Sequence, residues 1–284
     1  MTSHAAMLAT GFSIIELATL RIQAQWADSS GMLGKMVMHL SDDQLRAFAE
    51  RGYVVIPNVV SQSLIGGAMQ KIDRMIEQAP PPSGHRGFHF YWELPSSDTD
   101  PLTALVQRSN AWKIATSLVA PRNLGPPEQI QVSLNIPVWH HQPGGPHIDG
   151  LTVTEPSGRP GTFTLLAGIF LTDQMAKDMG NLWVWPGSHH VAAAYLRRHG
   201  ANALFDIEHP TYPIAAPEQI LGRAGDLFLG HYLLGHNMGG NTSAFVRRVV
   251  YFRLHAEGHR TRWRECVQDP LFEFGPARAA SARQ

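Results

Sequence analysis

The tripeptide His147-Ile148-Asp149 constrains the fold of this chain more than any other feature of its sequence. Residues i and i+2 of a β-strand point to the same face of a sheet, so His147 and Asp149 can share one metal ion if the segment is extended. Two ligands cannot fix the ion, and a third has to come from another strand. His236 is the candidate, so the fold must bring together two segments that lie far apart in the sequence.

Two other histidines, His140 and His141, lie close to this tripeptide and compete with His147 for the metal. Neither of them is followed two residues later by a carboxylate, because positions 142 and 143 are Gln and Pro. We therefore prefer His147 as the first ligand.

The second histidine ligand lies in a leucine-rich stretch, where a histidine is more often a hydrogen-bonded core residue than a ligand. His236 is set apart by the glycine before it, the turn-rich residues 237–243 after it and the arginine that follows at position 247. His231 lacks this context. We interpret it as a core residue or as a residue that supports the metal ligands from behind.

Residues 246–253 are typical of a buried strand that follows the second histidine. Alternation along it places four side chains on a common face, namely Arg247, Val249, Tyr251 and Arg253. Two imidazoles and a carboxylate form the facial triad that holds Fe(II) and leaves positions open for oxygen chemistry. Arg247 can hold the carboxylate of an organic-acid cosubstrate through two parallel hydrogen bonds. Together these residues suggest an iron oxygenase that consumes 2-oxoglutarate.

The same residues, together with several other motifs in the same order, resemble the phytanoyl-CoA dioxygenase family of Fe(II)/2-oxoglutarate-dependent oxygenases. The resemblance covers residues from about 38 to about 255 and begins with an opening helix and first strand at residues 40–60. Its other motifs are residues 167–173, residues 180–189, Gly225-Asp226 before the second histidine, and Asn241-Thr242-Ser243 before the arginine.

The resemblance implies a mostly β fold with flanking helices, a double-stranded β-helix of the jelly-roll or cupin-like type with iron between two sheets. It implies that His147, Asp149 and His236 bind Fe(II), that Arg247 holds the distal carboxylate of 2-oxoglutarate, and that dioxygen is the second cosubstrate. One departure is visible, because the family often has tryptophan directly before the first ligand, whereas here Trp139 is separated from it by a loop.

The predicted reaction is hydroxylation of an unactivated carbon of a small, partly apolar organic substrate, with release of succinate and CO2. Related halogenases replace the carboxylate ligand with a small residue, so the presence of Asp149 implies hydroxylation. One alternative is a metal-dependent cupin-type isomerase or hydrolase, which would not need Arg247. Another is a non-catalytic small-molecule-binding barrel, in which the metal ligands should be broken.

Three further sites are candidates for contacts in the pocket. The strand at residues 130–136 alternates, and its polar face carries Gln131 and Asn135, which either contact the cosubstrate or face solvent. Thr164 is another possible cosubstrate contact. The aromatic cluster at residues 85–94 either belongs to the core or lines the mouth of the pocket, where apolar substrates bind.

Composition excludes several classes of protein. With 44% apolar and 16% charged residues, the chain is that of a core-rich globular protein. Its formal net charge is zero, so we expect neither nucleic acid nor membrane as a partner, but only a small-molecule substrate. Its single cysteine, Cys266, excludes a disulfide within the chain and suits a reducing cytoplasm. The oligomeric state cannot be read from the sequence.

We expect one catalytic domain over residues 38–275. Residues 1–37 lie outside the resemblance, and two interpretations stay open: a short amphipathic helix over residues 13–26, or translation that begins at Met36 or Met38. Residues 276–284 are expected to form a flexible tail. No apolar run approaches the roughly 20 residues of a transmembrane helix, and the N-terminus makes a poor signal peptide.

Four helices are predicted outside the sheet. Ser41 is a candidate N-cap for the first, and Ser61 or Ser63 for a second that runs to about residue 78. The remaining predictions are helices over residues 103–119 and 191–200, and a lid-like loop over residues 202–220.

Overall fold

The structure, a computed structural model, describes residues 39–150, 158–206 and 215–283. The expected N-terminal extension therefore lies outside the described residues, as do residues 207–214 of the expected lid-like loop. No helix within the described ranges has both the length and the apolar character needed to cross a membrane.

Helices flank the sheets of the described chain. They are α1 Asp42–Arg51, α2 Gln62–Gln78, α3 Pro101–Gln107, α4 Ala111–Val119, α5 Ser188–His199, α6 Trp263–Gln268 and α7 Gly275–Ser281, with a 3₁₀ helix at Ala201–Asp206. The strands are β1 Tyr53–Ile56, β2 Gly87–Glu93, β3 Ile130–Ile136, β4 Leu165–Phe170, β5 Leu182–Val184, β6 Glu218–Gln219, β7 Leu227–His231, β8 His236–Met238 and β9 Arg247–Leu254.

These strands form two antiparallel sheets. The major sheet has the order β1-β7-β4-β9-β3-β2, and the minor sheet has the order β6-β5-β8. The backbones of His147 and His236 pair with each other, which adds the segment of the first ligand to the edge of the minor sheet. The core lies between the sheets, where Leu166 and Val249 of the major sheet cluster with Val184 of the minor sheet. This is the double-stranded β-helix that the sequence predicted.

The central strands β4 and β7 have almost continuously apolar sequences. Every residue of β4 and β7 is buried, because helices or the minor sheet cover both faces of the major sheet. The polar face of strand β3 turns toward the interior and the cavity rather than toward bulk solvent. Ser133 and Asn135 of this face are both fully buried.

The first two helices follow their predicted boundaries. A capping box at Ser41 and Gln44 starts α1, which confirms Ser41 as its N-cap. Helix α2 begins directly after Ser61 and ends at Gln78, ahead of three consecutive prolines. The predicted helix over 191–200 also forms, although it begins earlier, at Ser188.

The single helix predicted over residues 103–119 is wrong, because the structure divides it into α3 and α4. The hydroxyl of Ser109 donates to the Leu105 carbonyl and accepts from the Ala111 amide, and so closes one helix while opening the next. Asp100 caps the start of α3 through the amides of Leu102 and Thr103.

The C-terminal segment also differs from the expected flexible tail. Most of it forms α7, which packs against α1. Ala277 and Ala280 are fully buried, and the ring of Phe274 lies 4.8 Å from that of Phe48 in α1. Two alanines one helical turn apart give a smooth face that allows close approach, and this burial holds the segment in place.

Candidate active site

Three side chains converge where the edge of the minor sheet meets the interior of the fold. The Nε2 atoms of His147 and His236 lie 3.5 and 3.6 Å from the same oxygen, Oδ1 of Asp149. Potential ligand atoms of these three residues all lie within 4.8 Å of one another. Octahedral ligands about 2.1 Å from a metal lie about 3 Å apart, so a small adjustment would place these atoms around one ion.

Local backbone structure positions His236 and Asp149. The Nδ1 atom of His236 bonds the Leu234 carbonyl at 2.9 Å, which leaves Nε2 directed at the site. Gly150, directly after the carboxylate, has φ +81°, and a Cβ there would lie 2.3 Å from the carbonyl oxygen of Gly161. The turn that presents Asp149 therefore requires glycine.

The electrostatics of the cluster favour an ionised carboxylate. Burial alone would raise the pKa of Asp149, but hydrogen bonds with His147 and His236 and the charge of Arg253 hold it well below its usual range. Burial alone would lower the pKa of His236, but the contact with Asp149 raises the pKa of this imidazole above its usual value. Two imidazoles and one carboxylate fit a divalent transition metal of the facial-triad type.

The competing histidines do not join this cluster. The ring of His141 stacks on Trp139, with centroids 4.2 Å apart and planes within 9° of each other. Neither His140 nor His141 belongs to a group of potential metal ligands among the described residues. The structure therefore favours His147 over its two neighbours.

His231 is a core histidine. Its Nε2 bonds the Pro270 carbonyl at 2.8 Å, and its Nδ1 accepts from the Leu233 amide at 2.9 Å. Burial lowers the pKa of His231 to about 4. Of its two interpretations, the hydrogen-bonded core residue is the one that the structure supports.

The three converging side chains open onto a cavity of about 840 Å³. One wall is aromatic and consists of Phe88, Phe90 and Trp92, which alternate along β2. Polar side chains also line the cavity, including Gln131, Ser133, Tyr251, Arg253, His255, Arg260 and Glu128. Of the two interpretations of the aromatic cluster, the structure supports the pocket wall.

Arg247 lies behind the floor of this cavity. It is only 2% exposed, and its Nη1 and Nη2 donate to Ser133 at 3.0 Å and Tyr251 at 2.9 Å, both of which line the cavity. Its Nε donates to Gln174 at 3.2 Å. All three partners are uncharged, and within the described residues no carboxylate pairs with this guanidinium. Gly180 makes room for Asn135 and Arg247, since a Cβ there would lie 2.8 Å from the Cβ of Asn135 and 3.1 Å from that of Arg247.

Gln131, Asn135 and Thr164 are placed differently from one another. Gln131 lines the cavity, but Asn135 lies farther along the same face of β3 and does not line it, and its Nδ2 donates to the Gly239 carbonyl at 2.8 Å. The structure does not bring Thr164 to the cavity. Its hydroxyl accepts from the Ala256 amide at 2.8 Å and donates to Glu273 at 3.1 Å, which turns it toward α7.

Glu273 belongs to a second group of potential ligands, together with His259 and Cys266. These atoms already bond one another, since Nδ1 of His259 lies 2.9 Å from Glu273, and Nε2 lies 3.0 Å from the hydroxyl of Thr162. This arrangement is a hydrogen-bonded core network that ties the C-terminal segment to the start of β4.

Sequence reasoning did not assign a role to Arg253, although alternation already placed it on the same face as Arg247. Its Nη2 bonds Oδ2 of Asp149, and its Nη1 lies 3.4 Å from Oε1 of Gln131. The guanidinium carbon lies 5.2 Å from the ring centre of Trp92 and 5.7 Å from that of Phe163. The signal that could have found it is the period-2 pattern of β9.

The chain is similar to several known proteins. The profile of the phytanoyl-CoA dioxygenase family matches residues 48–249. The solved structure of SnoK, a non-haem α-ketoglutarate-dependent carbocyclase of nogalamycin biosynthesis, is 25% identical, with a TM-score of 0.53 over 75% of this chain and 84% of that chain. Among curated proteins, none matches by sequence.

Two more distant structures share the fold. HygX from Streptomyces hygroscopicus, solved with nickel and 2-oxoglutarate, is 19% identical, with a TM-score of 0.51 over 77% of this chain and 88% of that chain. EctD from S. alaskensis, solved with 2-oxoglutarate and 5-hydroxyectoine, is 18% identical, with a TM-score of 0.54 over 76% of each chain. The family profile spans most of the chain, which therefore belongs to the phytanoyl-CoA dioxygenase family of Fe(II)/2-oxoglutarate-dependent enzymes.

Proposed function

We propose that this protein is a dioxygenase that hydroxylates an unactivated carbon of a small, partly apolar organic molecule, with release of succinate and CO2. The observation that carries the proposal is the convergence of His147, Asp149 and His236 on a cavity of about 840 Å³ with a buried, carboxylate-free arginine behind it. Fe(II) and 2-oxoglutarate, when bound, would supply the chemistry that activates dioxygen and breaks a C–H bond.

The metal would be held by Nε2 of His147, Nε2 of His236 and one oxygen of Asp149. The low pKa of Asp149 keeps this ligand ionised at neutral pH, so no proton has to be displaced from it when a cation binds. The three protein ligands occupy one face of the site and leave the cavity side for the cosubstrate.

Arg247 would supply the positive charge that holds the distal carboxylate of 2-oxoglutarate, from behind the hydroxyls of Ser133 and Tyr251. A buried cation whose partners are all neutral is costly, because its desolvation is not offset by an opposite charge. The guanidinium of Arg247 donates to the hydroxyls of Ser133 and Tyr251, and both of these residues line the cavity. An anion bound there would therefore meet two hydroxyls with a positive charge directly behind them. Gln131, which also faces the cavity, would offer a further polar contact.

The substrate would pack on the aromatic wall of β2. Phe88 and Trp92 are 45% and 50% exposed although they line the cavity, so much of their apolar surface is in contact with water. Covering about 100 Å² of such surface would stabilise a complex by about 2.5 kcal/mol. A partly apolar molecule would therefore bind here and exclude water from the reacting carbon.

The test is an anaerobic titration of the purified protein with Fe(II) and then 2-oxoglutarate, followed by the visible charge-transfer absorption of the chelated cosubstrate. We expect the band in the wild type and its loss in Asp149→Ala. Succinate release in air with candidate substrates then identifies the reaction, and product analysis separates hydroxylation from other oxidations. Metal binding without the band would support a cupin-type isomerase or hydrolase instead.

The contribution of the aromatic wall can be measured once a substrate is found by succinate release. Phe88→Ala should raise the KM for that substrate while leaving the affinity for 2-oxoglutarate unchanged. Leu94→Ala is the matched control, because Leu94 is 80% exposed on the same segment and does not line the cavity. An equal effect of both substitutions would place the substrate elsewhere.

A further inference from the structure

The two oxygens of the Asp149 carboxylate have different partners. Oδ1 faces both imidazoles, at 3.5 Å from His147 Nε2 and 3.6 Å from His236 Nε2. Oδ2 turns away from them and bonds Nη2 of Arg253. The carboxylate therefore presents one oxygen to the metal position and has its second oxygen already occupied.

Arg253 is itself held firmly. Its guanidinium lies near the rings of Trp92 and Phe163, and its Nη1 lies 3.4 Å from the Oε1 atoms of Gln129 and Gln131. The side chain is 15% exposed, so water competes weakly for its hydrogen bonds. These contacts keep the guanidinium beside Oδ2.

We propose that Arg253 is a positioning residue that restricts Asp149 to binding the metal through one oxygen. This inference rests on the proposed function. A free carboxylate can bind a metal through one oxygen or through two, and two-oxygen binding would occupy one of the positions that the cosubstrate needs. Arg253 prevents this by keeping Oδ2 in a charge-assisted hydrogen bond, so that the open positions stay available for the two donor atoms of 2-oxoglutarate.

A purely electrostatic role for Arg253 predicts the opposite outcome. A positive charge beside a cation site repels the metal, so its removal would strengthen metal binding and leave the ligand arrangement unchanged. A positioning role predicts that removal changes the ligand arrangement and weakens the binding of 2-oxoglutarate to the metal-loaded protein. The two roles can therefore be separated by experiment.

The experiment uses Co(II) in place of Fe(II), because Co(II) gives a visible d–d spectrum whose intensity reports the coordination number. Arg253→Met keeps an unbranched side chain near Trp92 and Phe163 but removes every donor. We expect a changed Co(II) spectrum before 2-oxoglutarate is added, and a dissociation constant for 2-oxoglutarate at least about tenfold higher than in the wild type by calorimetry. Arg253→Lys retains a charge and donors, so its dissociation constant for 2-oxoglutarate should lie between those of the wild type and Arg253→Met.

Arg248→Met is the matched control, because Arg248 lies on the other face of the same strand and pairs with Asp73 rather than with a metal ligand. It should keep the wild-type spectrum and affinity. A wild-type spectrum and a 2-oxoglutarate affinity within about twofold of wild type in Arg253→Met would overturn the proposal. If Arg253→Met does not fold, Arg253→Gln replaces it under the same criteria. Failure of the wild-type protein to bind Co(II) or 2-oxoglutarate would instead refute the proposed function.

Discussion

The adjacent arginines of β9 allow a direct test of the cosubstrate site. Arg247 and Arg248 point to opposite faces of the strand, one toward the cavity and the other toward α2, where Nη1 of Arg248 bonds Asp73 at 2.7 Å. We predict that Arg247→Met raises the dissociation constant for 2-oxoglutarate strongly, whereas Arg248→Met leaves it unchanged. The two variants lose the same charge from neighbouring positions, so long-range electrostatics cannot account for a difference between them.

The size of the effect follows from burial. Arg247 is 2% exposed, and removing one partner of a buried ion pair costs about 3 kcal/mol or more. Because about 1.4 kcal/mol corresponds to a factor of ten, the dissociation constant should rise by about two orders of magnitude. Arg248 pairs with an Asp73 side chain that is 54% exposed, and such a surface pair contributes at most about 1 kcal/mol to stability.

The assay is isothermal titration of 2-oxoglutarate into protein loaded with Co(II), with thermal unfolding of each variant as a control for folding. Binding of 2-oxoglutarate should raise the melting temperature of the wild type and of Arg248→Met, but hardly that of Arg247→Met. Arg247→Lys keeps the charge without the planar fork and should recover part of the affinity. Wild-type affinity in Arg247→Met, or the loss appearing in Arg248→Met, would refute the assignment of the strand face.

Three further predictions concern single residues. Asp149→Ala should abolish Co(II) binding in calorimetry and succinate release, and an active variant would contradict the ligand set. Burial raises the pKa of the Cys266 thiol, so this cysteine should react slowly with a thiol reagent in the native protein and fast after unfolding. Burial lowers the pKa of His231 from 6.5 to about 4, so the imidazole stays neutral in the folded protein over this range. Because the unfolded chain takes up the proton first, up to about 3 kcal/mol of the free energy of unfolding should be lost as the pH falls from 6.5 toward 4. In denaturant titrations at several pH values, His231→Gln should flatten the dependence of the unfolding free energy on pH. An unchanged dependence would contradict the role of His231.

The convergence of the three proposed metal ligands could be predicted from the sequence because their geometry depends on short-range rules. The i, i+2 spacing of His147 and Asp149 fixes their relative direction once the segment is extended. The choice of His147 over His140 and His141 needed only the position of the carboxylate. The pairing of the two histidine backbones, which closes the cluster, is a contact between distant segments that no local pattern specifies.

The failures of sequence reasoning involve side chains whose partners come from elsewhere in the fold. Thr164 is close to the predicted pocket in sequence, but Glu273 and the Ala256 amide, both far downstream, turn its hydroxyl away. The C-terminal segment looks like a tail because its composition is small and polar. Its order comes from packing of Ala277 and Ala280 in the interior, which depends on where α1 lies.

Strand β9 joins the two halves of the proposed chemistry. Along one face it carries Arg247 behind the cavity floor, Tyr251 at its surface and Arg253 beside the metal ligand. The strand lies between β3 and β4 and pairs with both along almost its whole length, so its register is fixed from two sides. A shift of one residue would turn all three side chains outward and bring Arg248 and Phe252 into the cavity. The proposed anion site and the proposed positioning of Asp149 therefore depend on the same strand register, and a substitution that disturbs this register should impair cosubstrate binding and metal binding together.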